Sequence, residues 1–131
     1  HKGAYYDALT AVRASNDLAH WVRFFLVAVH ETAQAACRTF RDILQLHNDS
    51  FERVSGLGKR VPNARRLLRH LYLQPFVTLR EVQTTLEVSR QTANMLLADF
   101  VKLGVLEETT GRVRDRAFVF TRYWTLFLDD R

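Results

Sequence analysis

The sequence predicts a mainly α-helical protein, in which a long helical segment is followed by a winged helix-turn-helix domain with a small antiparallel β-hairpin wing. Residues 17–54 contain no Gly or Pro and place apolar side chains at helical spacing. Residues 86–108, LEVSRQTANMLLADFVKLGVLEE, indicate a helix end, a turn, a second helix and the start of a strand. Residues 105–120 then predict a hairpin that turns around Gly111 and Arg112.

Composition places the chain among soluble globular proteins, since 47% of its 131 residues are hydrophobic and 25% are charged. This balance excludes a disordered or collagen-like chain. The longest nearly apolar run, Phe24 to Val29, is far shorter than the roughly 20 residues that a membrane span needs. No cleavable signal is recognised at the start, so we expect a cytoplasmic protein without a membrane partner.

Cysteine and histidine usage indicates no metal site. The single cysteine, Cys37, cannot form an internal disulfide, and the five histidines never fall at a ligand spacing with an acidic or thiol partner. We expect Cys37 to be a small buried residue on a helix, with an exposed thiol as the alternative. For these 131 residues we therefore expect no cofactor and no metal.

The positive charge lies entirely in the second part of the chain. Residues 1–58 carry six Lys and Arg against six Asp and Glu, whereas residues 59–131 carry thirteen against eight. Such an asymmetry is typical of a module for nucleic acid or another anionic partner, joined to a neutral segment. The alternative is a solvated basic surface that has no partner.

The long helical segment is predicted to begin at a cap formed by Asn16 or Asp17 and to end at Gly56 and Gly58. One helix, on the order of 55 Å long at 1.5 Å per residue, and two helices with a bend near residues 47–50 are both compatible with the pattern. Its apolar positions are Trp21, Val22, Phe25, Leu26, Val29, Ala33, Ala36, Cys37, Phe40 and Leu44.

The stretch HWVRFFLVAV within this segment is apolar on almost every side, so it must be covered on more than one side. Nothing else in the first 58 residues is large enough to cover it. Either the surface dimerises, or the chain is a piece of a larger domain. We expect a homodimer that forms through Trp21, Phe24, Phe25 and Val29.

The glycines, proline and basic residues of SGLGKRVP favour a linker, so we divide the chain into a helical part at 1–55, a linker at 56–62 and the winged domain at 63–131. Asn63 is expected to cap the first helix of that domain. A strand at PFVT follows, and Thr78 with Glu81 forms a capping box that opens a helix through Leu86.

The next helix is predicted from Ser89, its cap, to Gly104, which is its left-handed stop. Val88 fills the preceding turn. The apolar residues at i, i+3, i+4 and i+7 form a buried stripe: Ala93, Leu96, Leu97, Phe100 and Leu103. The residues that this stripe leaves facing outward are Arg90, Gln91, Asn94, Met95, Ala98 and Lys102.

This outward face indicates DNA binding, because Arg can pair with guanine, and Asn and Gln with adenine, by two hydrogen bonds each. Thr92 and the amides at the helix start could hold a phosphate. Phosphate neutralisation would come from the wing and from the first helix of the domain, that is from Arg112, Arg114, Arg116, Arg65, Arg66 and Arg69.

Protein docking is the alternative, since winged helices also serve as interaction and dimerisation modules. Three acidic residues close to the proposed DNA-binding face, Asp99, Glu107 and Glu108, would repel phosphates. Polar residues at a helix start are also ordinary cap-region residues.

The stretch KGAYYDALTAVRASNDLAHWVRFFLVAVHETA, residues 2–33, resembles the C-terminal end of the Fic (filamentation-induced-by-cAMP) domain, with its paired tyrosines followed by an aspartate-capped aromatic helix. LEVSRQT, FVKLGVL and GRVRDRAFVF resemble the winged helix that follows this domain in many bacterial Fic proteins, although FVKLGVL is a weaker form of the family's LxxLGVL. The resemblance covers nearly the whole chain.

The resemblance implies a parent enzyme that transfers AMP from ATP, with Mg²⁺, to a hydroxyl of a target protein. Family catalysis rests on an HPFxDGNGR motif, which these 131 residues lack, so we expect no enzymatic activity from them. Tyr5 and Tyr6 match the family tyrosines that lie along the nucleotide pocket, but here that pocket is incomplete. The resemblance thus implies a regulatory module that directs its parent to DNA or regulates its own promoter.

Overall fold

A computed structural model of the protein describes residues 2–15, 18–111 and 116–128. The protein is mainly helical and carries a small three-stranded antiparallel sheet, which confirms the predicted fold class. The chain divides into two compact units, residues 1–40 and residues 41–131. Its elements are α1 (Lys2–Ser15), α2 (Leu18–Ser55), a 3₁₀ turn (Gly58–Arg60), α3 (Val61–Leu73), β1 (Phe76–Thr78), α4 (Leu79–Leu86), α5 (Arg90–Lys102), β2 (Glu107–Glu108), β3 (Ala117–Val119) and α6 (Thr121–Thr125).

The first unit consists of α1 and the beginning of α2. α2 is one unbroken helix of 38 residues, which settles the choice between one helix and two. The predicted cap at Asn16 or Asp17 lies outside the described residues. Cys37 is exposed, so the expectation of a buried cysteine is wrong. The reason is that no described part of the first unit packs over that side of α2.

The second unit takes in the C-terminal part of α2 as well as the winged helix. Leu46, Ser50 and Val54 are buried, and Leu46 and Val54 belong to the same core as α3, α4 and α5. Because these residues recur every four positions, one side of α2 packs on that core. The unit therefore begins at residue 41, whereas we expected the winged domain to begin after a linker at 56–62.

α3 begins at Val61, two residues before the expected cap Asn63. Pro62 lies in the first turn, where its fixed φ favours a helix and its missing N–H leaves no bond unmade. The residue before the helix, Arg60, makes no side-chain cap. The prediction that Asn63 caps α3 is therefore wrong, because the helix has already started there.

The helix-turn-helix follows the prediction closely. Thr78 and Glu81 form the capping box of α4, and the Ser89 side chain accepts a hydrogen bond from the Thr92 amide at the start of α5. Glu87 ends α4 in the left-handed region with φ 54°, and Gly104 follows α5 with φ 68°. Since a glycine adopts this conformation without strain, Gly104 is suited to stop the helix.

The strands form a sheet in the order β1-β3-β2. Val77 lies opposite Phe118 in the β1–β3 pair, and Glu108 lies opposite Phe118 in the β2–β3 pair. Gly111, with φ 56°, lies in the loop that joins β2 to β3. The wing arginines Arg112 and Arg114 fall in residues 112–115, outside the described part of the chain.

The core of the second unit joins the three winged-helix helices to the sheet through Leu67, Leu71, Val82, Leu96, Leu97, Phe100 and Phe118, among others. α6 was not predicted from the sequence. Its Tyr123 packs at an edge-to-face angle on Tyr72 of α3, with ring centroids 4.9 Å apart. In the described residues, no helix is long and apolar enough to cross a bilayer.

Candidate nucleic-acid interface

α5 separates into a buried side and an exposed side, as its apolar spacing predicts. Four stripe residues, Ala93, Leu96, Leu97 and Phe100, are buried, and Leu103 is half-buried. The outward residues are all exposed: Arg90, Gln91, Asn94, Met95, Ala98 and Lys102. Within the described residues, Arg90, Gln91 and Asn94 make no side-chain hydrogen bond or ion pair. They are therefore available to an external partner.

The start of α5 is fixed by its cap. Ser89 Oγ accepts a hydrogen bond from the Thr92 amide at 3.1 Å, and the Ser89 and Thr92 hydroxyl oxygens are 2.9 Å apart. The Thr92 hydroxyl, predicted as a phosphate ligand, is thus already engaged with the cap. The amides of Arg90 and Gln91 have no acceptor within the helix, because first-turn amides lack an i−4 carbonyl.

Two of the three acidic residues that were expected to repel phosphates are paired with arginines. Arg60 Nε lies 2.7 Å from Asp99 Oδ2, and Arg60 Nη2 donates to Asp99 Oδ1 at 3.3 Å. Glu108 pairs with Arg116. The third, Glu107, accepts a hydrogen bond from the Thr121 hydroxyl at 2.8 Å. The repulsion expected from Asp99 and Glu108 is reduced, since each carboxylate has a cation beside it.

The Arg116–Glu108 pair crosses the wing from the residue before β3 to β2. Arg116 Nε donates to Glu108 Oε1 at 2.9 Å, and Arg116 Nη2 donates to Glu108 Oε2. This two-point contact lowers the pKa of Glu108 below its ordinary value and raises the pKa of Arg116. Arg116, predicted to neutralise phosphate, is therefore shared with a carboxylate of its own hairpin.

We expect Arg116→Ala to raise the pKa of Glu108 toward that of an unpaired glutamate. The folded-state pKa is the lower one, so the pair stabilises the fold above the unfolded carboxyl's pKa. That stabilisation is lost as pH falls through the folded-state pKa. NMR titration of the Glu108 side-chain carboxyl carbon measures the shift, and Arg122→Ala is the charge-matched control. An unchanged Glu108 titration in Arg116→Ala would contradict the pairing.

The three α3 arginines that were predicted to contact phosphates lie at two different sites on the second unit. Arg66 Nη1 donates to the Leu86 carbonyl at 3.0 Å, which brings it to the end of α4 beside the turn. The Arg65 guanidinium lies over the Phe51 ring, 4.4 Å from its centroid. Arg65 and Arg69 both line a cleft of about 440 Å³ between α2 and α3. No described residue of α4 or α5 lines that cleft, so Arg66 is the one of the three that the structure connects to the helix-turn-helix.

Two arginines that support α5 were not predicted from the sequence. Arg53 of α2 donates from Nη1 to the Leu103 carbonyl at 2.8 Å, and so satisfies a carbonyl at the end of α5. Arg60 pairs with Asp99 in the last turn of the same helix. Both partners lie about forty or more positions away in sequence, so no local spacing signals either contact.

In the first unit, the rings of Tyr5 and Tyr6 meet edge to face with centroids 5.6 Å apart, and both side chains are exposed. Among the four residues of the predicted dimer surface, Phe25 and Val29 are exposed, while Trp21 and Phe24 are half-buried. Trp21 stacks on Phe25 along the helix at 5.5 Å. The described residues contain no group of three or more side chains suited to hold a metal ion.

A comparison with known family profiles finds none that matches the chain.

Proposed function

We propose that the winged-helix unit binds duplex DNA, with the first two turns of α5 in the major groove. The observation that carries the proposal is the exposed side of α5, where Arg90, Gln91 and Asn94 project beside one another without internal partners. A helix carrying such residues at its N-terminal end fits the docking geometry of helix-turn-helix proteins.

In this arrangement Arg90 pairs with a guanine, and Gln91 and Asn94 pair with adenines. The unpaired amides at the start of α5 donate hydrogen bonds to a phosphate oxygen, since the helix dipole favours negative charge there. Arg66, which already donates to Leu86 at the end of α4, supplies a further positive charge beside the turn. Phosphate contacts then set the register of the helix and the α5 side chains read the sequence.

We expect Arg90→Ala and Asn94→Ala each to weaken binding of the preferred duplex by about 1–3 kcal/mol, roughly five- to 150-fold, because each removes a two-point base contact. Fluorescence anisotropy of the full 131-residue chain with a duplex from the gene's own promoter, at two salt concentrations, measures this loss. A scrambled duplex reports the sequence-independent part of the affinity.

Arg122→Ala is the matched control, because Arg122 is an exposed arginine of the same unit that lies 3.8 Å from Asp49 and outside α5. It removes the same charge, so it should change the affinity far less than Arg90→Ala. Binding that is equal for both duplexes, weakened by salt and insensitive to Arg90→Ala and Asn94→Ala would overturn the proposal.

Protein docking is a second candidate, favoured by exposed aromatic residues on the second unit. Phe76 of the edge strand β1 and Trp124 of α6 are both exposed, and their rings meet edge to face at 5.1 Å. Phe127 and Leu128 nearby in sequence are also exposed. An aromatic cluster on a sheet edge suits recognition of an extended peptide. Loss of partner binding on Trp124→Ala, with DNA binding unchanged, would support this candidate.

We further propose that this unit serves a Fic-family parent that transfers AMP from ATP, with Mg²⁺, to a target protein. The support is the sequence resemblance of residues 2–33 and of the winged helix. The HPFxDGNGR motif would have to lie in a part of the parent outside these 131 residues. The upstream reading frame tests the proposed parent activity directly. A frame without the motif would contradict that activity but would leave the DNA-binding proposal unaffected.

A further inference from the structure

An open groove runs along α2 inside the first unit, bordered by two rows of side chains that each advance four residues at a time. The open space over these side chains measures about 730 Å³. One row is Leu18, Val22, Leu26 and His30, and the other is Ala19, Arg23, Val27 and Glu31. Rows with this spacing are the ridges that interlock when two helices pack side by side.

The groove is apolar and faces solvent. Leu18 is 61% exposed, Val22 40%, Leu26 58% and Val27 50%. Apolar side chains that are contiguous and exposed to this extent mark an interaction surface. Only two of the described residues that line the groove, Arg23 and Glu31, are an arginine or an acidic residue. A partner must therefore be mainly apolar and must match these two charges.

The two charged residues of the groove lie on the same row, on either side of Val27. Arg23 and Glu31 are eight positions apart, or about 12 Å along the helix axis, which is too far for them to pair with each other. Neither has an oppositely charged residue three or four positions away, and neither forms an ion pair within the described residues. Each therefore presents an unmatched charge at equal distance from Val27.

We infer that the occupant of this groove is a second copy of the chain, packed antiparallel with Val27 at the two-fold axis. An antiparallel copy reverses the row, so Arg23 of one copy lies beside Glu31 of the other, and the symmetry forms the same pair twice. The rows of the two copies then interlock as ridges and grooves. The apolar side chains are covered and both charges are matched in one arrangement.

This interface differs from the one expected at Trp21, Phe24, Phe25 and Val29. There Trp21 already stacks on Phe25 of its own helix. The groove, in contrast, combines solvent-exposed leucine and valine side chains with two opposite charges, Arg23 and Glu31, that match the same residues of an antiparallel copy. Self-association through it would give each particle two winged-helix units, and it does not depend on DNA binding.

Charge reversal in the 131-residue chain tests the arrangement by sedimentation equilibrium. We expect the natural chain to dimerise, and Arg23→Glu and Glu31→Arg each to weaken the dimer roughly tenfold, since each turns two attractive pairs into two repulsive ones. An equimolar mixture of these two variants should dimerise about as tightly as the natural chain, because the mixed dimer restores both attractive pairs.

Arg80→Glu, which makes the same charge change on an exposed residue of α4, should leave dimerisation unchanged, and circular dichroism checks that every variant keeps its helix content. A natural chain that stays monomeric overturns the inference. So does dimerisation that is insensitive to both reversals, which would point to the Trp21 surface. A mixture that dimerises no better than the single variants also overturns it, because it rules out the reciprocal pairing.

Discussion

A chain that begins at residue 56 is expected to lose about 3–6 kcal/mol of unfolding free energy relative to one that begins at residue 41. The shorter chain keeps every element of the predicted winged domain, but it lacks Leu46 and Val54, which are buried in its core. Full burial of each side chain contributes about 1.5–3 kcal/mol. Since small domains are stable by only about 5–15 kcal/mol, such a loss brings the shorter chain close to unfolding.

Urea unfolding of the two chains, followed by circular dichroism, measures the difference. The point variant Val54→Ala, at a fully buried position, should destabilise the longer chain measurably, whereas Leu44→Ala, at a largely exposed position of the same helix, should change little. Equal unfolding midpoints for the two chains would contradict the contribution of α2 to the core.

The helix-turn-helix could be predicted from the sequence because its signals are local. Ser89 caps α5 from three residues away, Thr78 and Glu81 close a box over three residues, and Gly104 stops a helix by its own backbone freedom. Each of these helix caps and stops acts within a single turn, so the residue types and their spacing are enough to predict its position.

The boundary of the second unit could not be predicted in this way. Two glycines and a proline at 56–62 indicate a turn, but the position of a turn does not indicate which side of the preceding helix is buried. Leu46, Ser50 and Val54 repeat at the same spacing as exposed apolar residues earlier in α2. Only the core that packs on the buried residues distinguishes them from the exposed ones. For this reason a linker was expected at 56–62, where the chain instead makes a short folded connection within one unit.

The partners of the arginines also could not be predicted from the sequence. Arg60 and Arg116 carry the charge that suits a phosphate, yet Asp99 and Glu108 already pair with them. Arg66 donates only to the neutral Leu86 carbonyl, so its charge is not matched by that contact. These pairings leave the net charge unchanged, but they alter its distribution, because paired cations contribute less to an outward field. Arg90 at the start of α5 has no such internal partner, which is why the proposed DNA contact depends on it most.

Phe100→Ala is expected to cost about 3–5 kcal/mol of stability, the usual loss for a phenylalanine removed from a packed core. Phe100 is fully buried on the inner side of α5, opposite the face that we propose contacts DNA. Its carbonyl accepts hydrogen bonds from the amides of Val105 and Leu106 at 2.9 and 3.1 Å. Those backbone bonds survive the substitution, so the loss reports side-chain packing alone.

Phe40→Ala is the matched control, since Phe40 is 66% exposed and the same atoms are removed. It should change the unfolding free energy by no more than about 0.5 kcal/mol. Phe100→Leu fills most of the site and should retain the fold, so at a temperature where it stays folded its DNA affinity should match that of the natural chain. If Phe100→Leu remained folded but lost DNA binding as completely as Arg90→Ala, orientation of α5 by its core would matter as much as the chemistry of its exposed face.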